Sequence, residues 1–157
     1  MQKTLSILIC CSILFLNFSC KQKQEDKTTD VESKAQTESA AQMEKIIAIH
    51  DEVMPKMRDI GKLVGELKPK VDSTAMGKQY EVAMKDLQDA HKTMMDWMRE
   101  FGDRFDYSET MEGKELSEQK QQWLDEEEEK VKVVKEKING SIERAEKLLN
   151  SQNPNKD

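Results

Sequence analysis

Residues 74–105 read TAMGKQYEVAMKDLQDAHKTMMDWMREFGDRF. Tyr80, Met84, Leu87, His91, Met94, Met98, Phe101 and Phe105 recur in alternating steps of four and three, the spacing that gathers side chains on one face of an α-helix. The stretch contains no proline, and Ser73 or Thr74 stands where an N-cap is needed. It therefore predicts one uninterrupted amphipathic helix.

The same spacing extends in both directions. Upstream, Met43, Ile47, His50, Met54, Met57, Gly61 and Val64 form a seam flanked by Ile46, Val53, Ile60 and Leu67, predicting a helix from about Ser39 to Lys68 that Pro69 stops. Pro55 falls inside it, so a kink is expected near residues 51–55. Downstream, a turn-rich stretch from Gly102 to Gly113 precedes a third helix carrying Leu116, Trp123, Leu124, Val131, Val134, Ile138, Ile142, Ala145 and Leu148 or Leu149, which ends near Asn150. No strand pattern competes. Three long amphipathic helices joined by short connections predict an all-α antiparallel bundle with coiled-coil-like seams.

The N-terminus differs in kind. Lys3 is followed by Leu5, Ile7, Leu8, Ile9, Ile13, Leu14, Phe15 and Leu16 without an intervening charge, the n-region and h-region of a secretory signal peptide. The run is too short to span a bilayer, which needs ~20 apolar residues. Leu16-Asn17-Phe18-Ser19-Cys20 resembles the lipobox of bacterial lipoproteins, whose signal peptidase cleaves before a diacylated cysteine. On that resemblance, residues 1–19 are removed, Cys20 carries lipid, and Lys21 after it matches the pattern sorted to the outer membrane. Two or three acyl chains then hold the protein at the cell envelope, since each buried methylene contributes ~0.8 kcal/mol. Residues 20–38 read as the lipidated cysteine and a flexible tether, 39–150 as the helical domain and 151–157 as a disordered tail.

Composition excludes several functions. The 157 residues carry a formal net charge of -6, and loss of 1–19 removes only Lys3, leaving -7. An acidic domain is a poor match for nucleic acid, whose phosphates call for clustered Lys and Arg. Of three cysteines, two lie in the segment to be removed and the third takes lipid, so no thiol remains for disulfides or thiolate metal sites. No nucleophile with an oriented base, no Gly-rich phosphate loop and no cleft with paired carboxylates can be read, so the chain is expected not to be an enzyme. The run Asp125–Glu129 followed by Lys130, Lys132, Lys135 and Lys137 reads as a solvated face, with Glu126–Lys130 and Glu128–Lys132 four apart and acid first.

One constellation has chemical content. Both histidines lie in apolar seams beside methionines: His50 with Met54 and Met57, His91 with Met94, Met95 and Met98. An antiparallel hairpin sets His50 opposite residue 93, close to His91 and Met94, and the next turn brings Glu127 or Glu128 toward His91. Imidazole and thioether together suit Cu(I), and two histidines with a carboxylate suit Zn(II). The candidate ligands are thus His50, Met54, Met57, His91, Met94, Met98 and Glu127. Core packing accounts for the same residues, because Met is a flexible filler and a polar layer can fix register.

Ile49-His50-Asp51-Glu52-Val53-Met54-Pro55-Lys56-Met57 and Met94-Met95-Asp96-Trp97-Met98, with the Cys20 lipobox, resemble small lipoproteins of Bacteroidota-type bacteria often labelled "viral A-type inclusion protein". The resemblance spans roughly residues 43–149. It implies the anchor and the helices and no established activity. Two functions follow as expectations: a lipid-anchored envelope protein whose helices bind a protein partner or self-associate, and an envelope protein that binds Cu(I) or Zn.

Overall fold

The computed structural model describes residues 27–151, with side chains from Lys34 onward. The expected signal segment, Cys20 and residues 152–157 lie outside the described residues. What is described is all-α: helices α1 (Lys27–Val53), α2 (Lys56–Leu67), α3 (Ala75–Arg104), α4 (Tyr107–Met111) and α5 (Glu118–Asn150), with a 3-10 turn at Lys68–Lys70. The long helices pack together.

This differs from three helices at two places. The first expected helix is divided at Pro55, and the turn-rich stretch before α5 contains α4. Pro55 has no N–H to donate and its ring opposes the preceding turn. Around it the bonding changes from four-residue to three-residue spacing: Met54 N–H donates to the His50 carbonyl at 2.8 Å, but Met57 donates to Met54 at 3.1 Å and Arg58 to Pro55 at 3.3 Å.

α1 also begins twelve residues before Ser39. Residues 27–38 are too polar to form a core, but six of the twelve are Lys, Glu, Gln or Ala and none is glycine or proline, so nothing in them stops a helix extending from the seam. Lys34 and Glu38 pair across one turn at 3.7 Å, and the Gln36 amide donates to the Gly113 carbonyl at 3.1 Å. Polarity alone had assigned the segment to a tether.

α3 starts as its sequence predicts. The Thr74 hydroxyl accepts from Gly77 N–H at 3.0 Å, and the Asp72 carboxylate accepts from both the Thr74 N–H at 2.9 Å and its hydroxyl at 2.5 Å. That cap requires glycine at 77, because a Cβ there would collide with the Asp72 carboxylate and backbone. α4 is held by a reciprocal capping box in which Asp106 accepts from Glu109 N–H and Glu109 from Asp106 N–H, both at 2.9 Å.

Cross-helix partners fix directions. Gln42–Asp125, Lys45–Glu128, Glu52–Lys135 and Lys56–Asn139 all lie 83 residues apart, so α1 and α2 run parallel to α5 in one register on both sides of Pro55. Asp86–Arg144, Asp89–Lys137 and Arg104–Glu126 instead converge as their numbers rise and fall, so α3 runs against α5.

The core is centred on Ile46, Val53, Ile60, Leu67, Leu87, Ala90, Met94, Leu124, Val131 and Ile138, each essentially inaccessible. In α1 and α2 these are the residues read as flanks. In α3, Ala90 and Trp97 take the central positions assigned to His91 and Met98. A heptad admits a three-four phase as readily as a four-three phase, and α3 adopts the former.

Candidate binding groove

Because α1 and α2 meet at a break, they have different neighbours. α2 packs on α3 and α5, whereas α1 packs on α5 and touches α4. The divergence leaves a wedge between α1 and the C-terminal half of α3. Large side chains at four-residue spacing on α3 occupy its floor: Trp97 and Phe101 have ring centroids 5.2 Å apart, and Phe101 and Phe105 5.1 Å. From α1, the His50 ring joins the row 5.8 Å from Trp97. Ile47 and Met98 form the walls, and α4 contributes Tyr107, Thr110 and Met111 at the rim.

The result is an open groove of about 450 Å³. Its volume falls within the usual range for binding sites, and its lining follows their pattern of apolar walls with a few polar groups. Tyr107 and Met111 are 70% and 63% exposed and stand side by side at the rim. A second hollow of about 320 Å³ shares Ile47, Asp51, Thr110 and Met111 with the groove and continues along α1 past Met43 and Ala40. α4 thus lies over α1 between two hollows. Gly113, at φ +67, ends the α4 segment in the left-handed region that glycine enters without strain.

The polar groups in the groove are His50, Asp51, Asp106 and Thr110. The His50 side chain is 22% exposed, and its Nδ1 lies 2.9 Å from an Asp51 carboxylate oxygen. Asp106 lies below the usual carboxylate range, chiefly because the Glu109 backbone N–H donates to it, with Lys114 adding a smaller effect. Trp97 is 5% exposed, and its indole N–H has no hydrogen-bond partner among the described residues.

The seven candidate metal ligands do not form one layer. His91 is exposed and lines a shallow hollow with Ile60, Gly61, Val64 and Gln88, on the α2 side of the Pro55 break from His50. The hairpin register is displaced by one to two helical turns from the expected pairing, so that His50 meets Trp97 rather than residue 93 and His91 lies beside Ile60, Gly61 and Val64. Met94 is fully buried in the core, Met54 and Met57 pack on its edge, and Met98 lines the groove. Glu127 is fully buried but faces cations, with Arg104 at 3.0 Å and Lys130 at 2.9 Å on the same oxygen. Arg104 also pairs with Glu126 at 2.7 Å and lies over the Trp123 ring. Among the described residues, no group of three or more His, Cys, Asp or Glu is placed to hold a metal ion.

Sequence reading singled out His50 and Met98, and named Trp97 as a partner-binding residue should it be surface-exposed, which at 5% it is not, but missed Phe105, Tyr107, Met111, Asp51 and Asp106 as parts of a site. The recurrence of Trp97, Phe101 and Phe105 at every fourth position was the available signal. Asp106 with Glu109, a capping box, was another.

Among the described residues, no helix is long and apolar enough to cross a membrane. No family model matches the chain, and neither a curated protein nor a solved structure matches it.

Proposed function

We propose that this chain is a non-enzymatic, lipid-anchored protein of the cell envelope, held to the outer membrane through Cys20, whose helical domain binds a protein partner. Membership of the small-lipoprotein group that its sequence resembles belongs to the same proposal. So does the description of α1–α2, α3 and α5 as the three columns of an up-down-up bundle.

The observation that carries the interaction reading is the groove between α1, α3 and α4. Large aromatic side chains there are stacked in a row as its floor, Trp97 and Phe105 buried and Phe101 half-buried, with Tyr107 and Met111 exposed at the edge. Aromatic anchors in a partly enclosed apolar depression are the usual centre of a protein interface. Acid–base chemistry has less support, because the acidic groups in the groove are engaged by a histidine, a backbone N–H and a lysine rather than aimed at a common point.

The test is photo-cross-linking in intact cells with benzoylphenylalanine at Tyr107, in the groove rim, and separately at Val82, which is 68% exposed and distant from it along α3. A discrete heavier adduct is expected from position 107 and not from 82. Fractionation of the Cys20→Ser variant is expected to move the protein out of the membrane pellet. Absence of any adduct from position 107 would overturn the interaction reading, and a Cys20→Ser protein that still sediments with membranes would overturn the anchor.

A further inference from the structure

We propose that the groove receives a partner segment carrying a positive charge beside a large apolar side chain. This rests on the interaction reading above and specifies its chemistry.

Charge is the first ground. Asp51 and Asp106 line the groove, and among the described residues no lysine or arginine does. Several carboxylates elsewhere on the helices are matched by cations from a neighbouring helix, Glu52 with Lys135, Asp86 with Arg144, Asp89 with Lys137 and Glu126 with Arg104. Among the described residues Asp51 pairs with no lysine or arginine, its ionic partner being His50. The cation of Asp106 is Lys114, at 3.4 Å and with both side chains more than half exposed. A cation entering the groove therefore meets carboxylate charge that the protein's own side chains leave largely uncompensated.

The lining supplies the second ground. Phe101, half-buried, and Tyr107, exposed, present ring surfaces that attract a cation as well as an apolar stem. A lysine or arginine can lay its methylenes along such a wall with its head at the carboxylates. Rings stacked in steps of 5.1 to 5.8 Å from His50 to Phe105 make the row about as long as five residues of extended chain, at roughly 3.3 Å each.

The experiment uses the full chain in neutral phosphatidylcholine vesicles with Trp123→Phe, which leaves Trp97 as the sole tryptophan. The probe is the pentapeptide acetyl-Leu-Lys-Leu-Lys-Leu-amide, compared with versions bearing Gln or Glu in place of Lys. Saturable change in Trp97 emission is expected with the Lys peptide, about tenfold tighter than with the Gln peptide and absent with the Glu peptide. Asp51→Asn combined with Asp106→Asn, which preserves the α4 cap because Asn is an equally good N-cap, is expected to abolish the preference. Asp86→Asn is expected to leave it intact. Equal affinity for Lys and Gln peptides would overturn the charge inference and leave the groove reading standing. Failure of every peptide to alter Trp97 emission would overturn both. Loss of the preference in Asp86→Asn would show attraction to the acidic surface as a whole and overturn the proposal.

Discussion

Glu128 shows how much one side chain on α5 does for the register of the whole domain. Its carboxylate accepts from Lys45 at 2.5 Å, Lys132 at 2.9 Å and Gln42 at 3.0 Å, two of the three donors coming from α1. The Lys45 bond, then those of Lys132 and Gln42, lower its pKa to about 2 against an unfolded value of 4.5, with burial opposing. The folded state therefore holds this proton more weakly than the unfolded chain. The stabilisation is complete above pH 4.5 and is lost as pH falls toward 2, a contribution on the order of 2 kcal/mol after allowance for solvent screening. Urea unfolding followed between pH 5 and 2.5 is expected to show a shallower loss of stability in Glu128→Gln than in the parent. Identical slopes would mean that the ion pairs do not contribute. The bond to Lys132 was legible in the sequence, since the two are four apart on one helix. The bonds to Lys45 and Gln42 were not, because they depend on how α1 and α5 are aligned. Glu127 was partly legible: its proximity to the seam marked it for burial, but Arg104 and Lys130, not histidine, neutralise it. Without such partners a buried carboxylate costs ~3–5 kcal/mol.

At the scale of elements, Pro55 separates what sequence can and cannot disclose. The kink itself followed from the missing N–H. That it would release α1 from α3 and open a groove depended on the bulk of Trp97 and Phe101 on the opposite helix, which no local rule connects to position 55. Pro55→Ala restores a donor and removes a residue that disfavours helix interiors by ~3 kcal/mol. In the Trp123→Phe background it is expected to join α1 to α2, raise helical ellipticity at 222 nm, change Trp97 emission as the His50 ring beside it moves, and weaken binding at the groove. Unchanged emission with raised ellipticity would dissociate the wedge from the kink. The heptad phase failed for a different reason. Alternating three-four and four-three steps both place residues on one face, and the choice between them decides whether Ala90 and Trp97 or His91 and Met98 face inward. Helical periodicity was readable from spacing; its phase was set by neighbours, and the expected histidine layer depended on that phase.

For the whole molecule, composition and periodicity were enough for the all-α class, while the distribution of helices in space awaited the cross-helix pairs. The constant separation of 83 residues places the start of α1 and the start of α5 at one end of the domain and the end of α5 at the other. Force applied between the beginning and the end of the described chain therefore acts along the α1–α5 contact in shear, loading its whole row of cross-helix bonds simultaneously. Force applied between the starts of those two helices would peel the same row open one bond after another. Single-molecule extension between positions 34 and 150 is expected to require higher force than extension between 34 and 118, and equal forces would refute the parallel register. A domain held at its beginning and drawn from its far end would resist like a lap joint, which gives way only when the entire overlap slides.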